Sequence, residues 1–320
     1  MFAGFRQERR RANGITINLR HGGSGPPLLL LHGFPQTHAI WHKVAPQLAE
    51  KFTLVMPDLR GYGDSDKPDS SADHAPYSKR TMARDAAELM RSFGFERFLV
   101  AGHDRGGRVA HRLAVDHPRA VERLMVLDIS PTLTMYEGTT MQFAAAYYHW
   151  FFLIQPEPLP ERLIAADPLF YLHRKIGAWG SAHAMSEAPS QANREPPRGA
   201  AAEQPGGQQC APLFDPRALA EYERCFTAPA VHAMCEDYRA AASIDLEHDR
   251  ADLLASRLVE CPVSALWGKR GVVDKFFTPL ADWQERTRQV VTGRAMPSGH
   301  YIAEEVPELL NAEMQAFFAA

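Results

Sequence analysis

The pentad Gly102-His103-Asp104-Arg105-Gly106 follows the short apolar run Phe98 to Ala101 and precedes a segment of helical pattern that begins at Gly107. A Gly-x-nucleophile-x-Gly turn between a strand and a helix pushes its central side chain out alone. The glycines permit a turn too tight for other residues. Here the central residue is an aspartate, whose carboxylate is already ionised at pH 7. The turn therefore predicts displacement at an sp3 carbon rather than acyl transfer through a serine.

Length and composition place the chain among ordinary globular proteins. Its 320 residues are 45% hydrophobic, with a formal net charge of −3, so it can bury a large core. Apart from Arg9-Arg10-Arg11, interpreted as a solvated end of the chain, the basic residues are scattered, and no nucleic-acid partner is expected. No stretch reaches the roughly 20 apolar residues of a membrane span. No apolar signal core follows Met1, so a cytoplasmic protein without a membrane partner is expected.

The cysteines give no sign of a metal site. None of them has zinc-ligand spacing or forms a Cys-x-x-Cys motif, so we interpret them as reduced thiols. The mechanism suggested by the elbow needs neither metal nor organic cofactor, and none is expected. The four cysteines are Cys210, Cys225, Cys235 and Cys261.

Apolar runs of strand length alternate with helical patterns, which predicts a doubly wound, mostly parallel α/β sheet covered on both faces. Functional residues of such sheets lie at the carboxyl ends of the strands. Four polar residues occupy those ends: His32, Asp58, Asp104 and Asp128. The runs are Leu28 to Leu31, Thr53 to Met56, Phe98 to Ala101, Leu124 to Leu127, and Val263 to Trp267.

The strand–helix alternation is interrupted by a long helical region rich in aromatics and methionine. We predict a first core part at 1–132, a helical cap at 133–254 inserted after the sixth core strand, and a second core part at 255–320. Within the cap, residues 187–212 are dense in Pro, Gly, Gln, Ala and Ser. Such a composition buries little apolar surface, so this segment is predicted to be a flexible loop.

A histidine and an acid complete the predicted catalytic set. His300 follows the last strand, and the chain order of nucleophile, acid and histidine is typical of hydrolases with this elbow. Two acids could orient the imidazole: Asp128, directly after a strand, and Asp274, in a longer loop. Asp128 is favoured because of its position. The amides of Phe34 and Arg105 are the predicted oxyanion hole, since both lie beside the elbow.

Together these motifs resemble the α/β-hydrolase superfamily, and within it the haloacetate (fluoroacetate) dehalogenase family. The similarity covers nearly the whole chain. The two arginines beside the nucleophile and the His-Trp pair are its more specific features. The matching segments are His32-Gly33-Phe34-Pro35-Gln36-Thr37, Asp58–Ser65, Gly102–Arg108, Leu127-Asp128-Ile129, His149-Trp150, Cys235–Arg239 and Ser298-Gly299-His300.

The resemblance implies an α/β-hydrolase fold and hydrolysis of haloacetates through an aspartyl ester. It implies halide binding by His149, Trp150 and Tyr238, and a pocket position for Trp179. Arg105 and Arg108 share a helix face near a positive helix end, as a clamp for a substrate carboxylate would require. The alternative for these arginines is a structural ion pair. A small haloacid is the expected partner, and a homodimer is left open.

Two other functions are compatible with the same residues. An epoxide hydrolase would use the same aspartate and histidine, with two of four cap tyrosines as donors to the epoxide oxygen. A small-molecule receptor on a hydrolase scaffold would not turn its ligand over. The arginine pair argues against the epoxide, which has no carboxylate to hold. The candidate tyrosines are Tyr147, Tyr148, Tyr171 and Tyr238.

Overall fold

Eight strands form one sheet in the order β1-β2-β4-β3-β5-β6-β7-β8. The computed structural model describes residues 1–179 and 213–319, without the side chains of residues 178 and 179. Only the β1–β2 and β2–β4 pairs are antiparallel, so the predicted mostly parallel sheet is confirmed. The strands are β1 (Arg6–Ala12), β2 (Ile15–Gly23), β3 (Pro27–Leu31), β4 (Thr53–Pro57), β5 (Phe98–His103), β6 (Val121–Leu127), β7 (Val263–Gly268) and β8 (Val291–Met296).

The basic run near the N-terminus is part of an edge strand. Arg9-Arg10-Arg11 lies in β1, where the Arg10 guanidinium donates to the Ser92 carbonyl at 2.8 Å. It is therefore not simply a solvated chain end. Charged side chains on an edge strand discourage pairing with another chain, but they conceal the strand from a search for apolar runs.

Helices cover both faces of the sheet and the edge where its parallel strands end. Alternate strand side chains enter opposite layers: Leu29 and Val100 pack on the side of α3, and Leu28 and Ala101 on the side of the C-terminal helix. The core helices are α1 (Ala45–Leu48), α2 (Lys79–Ser92), α3 (Arg105–Asp116), and, after the insertion, α12 (Val272–Phe276), α13 (Pro279–Gln284), α14 (Ile302–Glu305) and α15 (Pro307–Ala319).

The insertion between β6 and β7 is helical throughout its described residues. Residues 187–212, predicted as a flexible loop, lie outside the described part of the chain. The described helices that we call the cap are α4 (Thr132–Glu137), α5 (Met141–Ala146), α6 (Tyr148–Leu153), α7 (Leu159–Ala166), α8 (Pro168–Trp179), α9 (Pro216–Cys225), α10 (Ala228–Ala241) and α11 (Ile244–Leu254). No helix within 1–179 or 213–319 has the length and apolarity needed to cross a membrane.

The elbow between β5 and α3 requires both of its glycines. Asp104 has φ +45°, a value that L residues rarely adopt. A Cβ on Gly102 would lie 2.4 Å from the Gly106 carbonyl oxygen, and one on Gly106 would lie 2.3 Å from the His32 carbonyl oxygen. The helix therefore starts in direct backbone contact with the loop after β3, which brings that loop to the nucleophile.

We predict that Gly106→Ala destabilises the protein by about 2–4 kcal/mol, because the new methyl group collides with rigid backbone. Urea unfolding followed by circular dichroism measures the change. Gly177→Ala is the matched control, since its Cβ would meet nothing within 4 Å in helix α8, and it should be neutral or stabilising by up to ~1 kcal/mol. Equal stability of the two variants would contradict the tight-contact account.

Candidate active site

Asp104 is a buried carboxylate held by a backbone donor. The residue is 6% exposed, and Phe34 N–H donates to its Oδ2 at 3.0 Å. Burial would raise the pKa of Asp104, but the charges of His300 and Arg108 outweigh it, so the pKa lies below its usual range. The side chain is thus an ionised carboxylate at neutral pH, as the predicted nucleophile must be.

The loop after β3 can approach Asp104 because it contains glycine. A Cβ on Gly33 would lie 2.6 Å from the Asp104 Cβ. His32 fixes the loop: its Nδ1 donates to the Gly33 carbonyl at 3.0 Å, and its Nε2 accepts from Leu59 N–H at 2.9 Å. Burial lowers the pKa of His32 to about 4, so the imidazole stays neutral and makes both bonds.

The second predicted oxyanion donor is the amide of Arg105, the first residue of α3. The first amides of a helix have no carbonyl acceptor within it. The Phe34 amide thus contacts Asp104 from the loop after β3, and the Arg105 amide directly follows Asp104 at the start of α3. Both remain predicted oxyanion donors.

His300 is oriented by Asp128. Its Nδ1 donates to Asp128 Oδ2 at 2.5 Å, and Gly268 N–H donates to the other carboxylate oxygen at 2.8 Å. Burial would lower the pKa of His300, but the hydrogen bond and charge of Asp128 and the charge of Asp104 raise it above its usual value. Beneath the imidazole, His103 Nε2 donates to the His300 carbonyl at 2.9 Å.

Asp274, the other acid that the sequence allowed, has a different partner. Its Oδ1 accepts from Trp267 Nε1 at 2.8 Å, and Lys269 lies 3.2 Å from its Oδ2. Asp128 contacts His300 because it directly follows β6, at φ +53°. The loop after β7 instead turns Asp274 toward its own strand.

Arg105 departs from the sequence prediction, because its guanidinium is in an ion pair within the protein. Its Nε and Nη2 donate to the two carboxylate oxygens of Asp237 at 2.9 and 2.7 Å. The alternative of a structural ion pair therefore holds for Arg105, and among the described residues its Nη1 alone remains without an acceptor.

Arg108 has no ion-pair partner in the described parts of the chain. It is 3% exposed, and its Nη1 donates to the Ser130 carbonyl at 3.2 Å and to Thr132 Oγ1 at 2.9 Å. Its Nε meets no acceptor there. Burial and the charge of Arg105 lower the pKa of Arg108. Burying a cation costs free energy unless an anion or other acceptors offset the loss of solvation.

The predicted halide ligands gather around Phe34. The ring centroids of His149 and Tyr238 lie 5.8 and 5.3 Å from that of Phe34, and Trp150 lies 6.5 Å from Tyr238. Within the described residues, Trp150 Nε1 and the Tyr238 hydroxyl are buried without an acceptor. Burial and the charge of Asp104 raise the pKa of Tyr238 well above its usual value, so the phenol keeps its proton.

Some site residues were not identified from sequence. Asp237 lies inside a matching motif, yet nothing in its spacing shows that it pairs with Arg105. Tyr136, with its ring centroid 4.8 Å from that of Trp150, has a buried hydroxyl without an acceptor in the described chain. Trp179, predicted near the pocket, has a side chain outside the described residues. Among the side chains of 1–177 and 213–319, no group of three His, Cys, Asp or Glu could hold a metal ion.

Asp128→Asn should lower the pKa of His300, because burial remains while the charge of Asp128, which opposes the effect of burial, is removed. NMR titration of 15N-labelled histidine reports this pKa. Asp274→Asn is the matched control and should leave the His300 titration unchanged. A shift in the control, or none in Asp128→Asn, would contradict the assigned pairing.

Comparison with known proteins agrees with this geometry. The model of the alpha/beta hydrolase fold family matches residues 26–214. A fluoroacetate dehalogenase of Burkholderia sp is 42% identical over 96% of this chain and 92% of its own. A soluble epoxide hydrolase of Corynebacterium sp. (strain C12) is 33% identical over 96% and 95%. The crystal structure of a putative α/β hydrolase from Nostoc sp PCC 7120 has 48% identity, 99% coverage of both chains and a TM-score of 0.88. The chain belongs to the alpha/beta hydrolase fold family, as a haloacetate dehalogenase-like hydrolase.

Proposed function

We propose that this hydrolase converts haloacetates to glycolate and halide through an aspartyl ester. The observation that carries the proposal is Arg108, a buried guanidinium without a carboxylate partner in the described chain, beside the ionised carboxylate of Asp104. A nucleophile of this type suits displacement at carbon. A buried cation beside it suits a substrate that is itself an anion, and it offsets the repulsion between that substrate and Asp104.

In the first step, a carboxylate oxygen of Asp104 attacks the α-carbon in line with the carbon–halogen bond. The C–O bond forms as the C–halogen bond breaks, and the halide leaves with the bonding electron pair. Three donors are proposed to receive it: the imidazole of His149, the indole N–H of Trp150 and the hydroxyl of Tyr238. Burial and the charge of Lys175 lower the pKa of His149 well below its usual value, so this donor is a neutral imidazole.

In the second step, His300 removes a proton from water, and the resulting hydroxide attacks the ester carbonyl carbon of Asp104. Asp128 stabilises the imidazolium that forms. The amides of Phe34 and Arg105 hold the oxyanion. When the tetrahedral intermediate collapses, the proton on His300 goes to the departing glycolate oxygen. The carboxylic acid of Asp104 that results then loses the second proton of the water to solvent, which restores the carboxylate.

Epoxide hydrolysis is the second candidate, and the tyrosines favour it. Tyr147 and Tyr238 are both buried beside His149, with ring centroids 5.1 and 5.6 Å from its own. Either phenol could donate a hydrogen bond to the oxygen of an epoxide whose ring is opened by attack of Asp104. The charge of Arg108, which has no ion-pair partner within 1–179 and 213–319, has no role in that reaction, since an epoxide is neutral. Product formation from styrene oxide and from chloroacetate, measured side by side, distinguishes the two.

His300→Ala should release one equivalent of halide from chloroacetate and then stop, because the imidazole acts only on the ester. Rapid-quench halide measurement and mass spectrometry of the peptide containing Asp104 follow the burst and the trapped ester. Asp104→Asn is the control and should give neither. The absence of a burst in His300→Ala, with the wild-type protein active, would contradict the division of roles.

Arg108→Met should lower kcat/KM for chloroacetate by roughly 100-fold or more, since a buried charge contact with the substrate is lost. The neutral chloroacetamide should lose less than about threefold. Arg112→Gln is the matched control. This buried arginine on the same helix pairs with Asp116 and Asp249, so its loss should reduce stability and leave the substrate ratio unchanged. Equal losses for both substrates in Arg108→Met would remove the anion-binding role.

A further inference from the structure

The fully buried carboxylate of Asp237 contacts two cations and a phenol. It accepts from Arg105 at 2.9 and 2.7 Å, from the Tyr62 hydroxyl at 2.7 Å, and from Lys79 Nζ. Burial would raise the pKa of Asp237, but Arg105 and Lys79 outweigh it and hold it below its usual range. A buried charge with this many donors is fixed in position.

These contacts join the cap to the core. Asp237 lies on cap helix α10, whereas Lys79 and Arg105 are the first residues of core helices α2 and α3. The residue after Asp237 is Tyr238, whose ring centroid lies 4.2 Å from the Arg105 guanidinium carbon. The same ion pair therefore sets the orientation of a core arginine and the position of a cap phenol.

Lys79 shares with Arg105 the carboxylate of Asp237. Because Asp237 accepts from both cations, neither of them has this carboxylate to itself. Lys79 is itself held in place, because its backbone N–H donates to Asp245 Oδ1 at 2.8 Å and its ammonium lies 3.8 Å from Asp245 Oδ2. With Nε and Nη2 of Arg105 occupied by Asp237, Nη1 is the nitrogen left for a ligand.

We propose that Lys79 and Asp237 are positioning residues that set the preference for anionic substrates: they hold Arg105 so that Nη1 faces the substrate carboxylate, and they align Tyr238 with Asp104. This inference rests on the proposed haloacetate activity. Neither residue contacts the substrate, and both act through Arg105 and Tyr238.

The test compares kcat and KM for chloroacetate and chloroacetamide in Asp237→Asn, Lys79→Met and Lys79→Arg. Asp237→Asn should raise KM for chloroacetate roughly tenfold, leave KM for chloroacetamide within about twofold, and lower kcat for both substrates alike through Tyr238. Lys79→Met should raise KM for chloroacetate about threefold or more, and Lys79→Arg should restore it.

Tyr222→Phe is the matched control, because it removes another buried cap–core hydrogen bond, from the Tyr222 hydroxyl to Glu304 at 2.8 Å. It should leave the ratio of the two KM values unchanged. Thermal unfolding verifies that each variant folds. If Asp237→Asn does not fold, Lys79→Met and Tyr62→Phe carry the test, since each leaves the Arg105–Asp237 pair intact.

Several results would overturn the inference. An unchanged or lower KM for chloroacetate in the folded variants means that Asp237 only competes with the substrate for Arg105. Parallel changes in KM for both substrates, or the same change in the KM ratio in Tyr222→Phe, mean that the contacts are structural only. A wild-type protein that releases no halide from chloroacetate overturns the proposed function, and this inference with it. If the wild-type protein is active and the ratio of the two KM values does not change in the variants, only this inference is overturned.

Discussion

The proposed reaction depends on keeping a buried carboxylate ionised while it faces a second anion. Burial favours the neutral form of Asp104, so the surrounding charges and donors must reverse that preference. Phe34 N–H, His300 and Arg108 do so together. The same positive potential that lowers the pKa of the nucleophile also suits an anionic substrate. In the proposed function, nucleophile activation and substrate choice are thus two effects of one charge distribution.

The fold supplies this distribution through backbone contacts that side chains larger than glycine would prevent. The elbow glycines let α3 begin against the loop after β3, and Gly33 lets that loop reach Asp104. Asp128 follows the neighbouring strand β6, where its carboxylate meets His300. The cap contributes Tyr238 from helix α10, and the buried ion pair of Arg105 with Asp237 holds α10 against the core. Each contribution comes from a different part of the chain.

The sequence was sufficient for the five adjacent strands β3 to β7 and for the polar residues at the ends of four of them, because both follow from local apolar patterns and from chain order. It was insufficient for β1, β2 and β8, at the two sides of the sheet; the charged residues of β1 make that strand hard to recognise. It also missed the role of Asp237, since the pairing of a cap residue with Arg105 is a contact between segments far apart in the chain. The sequence also could not decide between Asp128 and Asp274, because that decision depends on the distance of each carboxylate from His300.

Single turnover of chloroacetate in water labelled with heavy oxygen tests the central claim, that Asp104 becomes covalently bonded to the substrate carbon. Attack of labelled water on the Asp104 ester would place the label in the Asp104 carboxylate and leave the first glycolate unlabelled, as mass spectrometry of the peptide and of the product would report. Label found only in glycolate would mean that water attacks the α-carbon directly, and the account would be wrong.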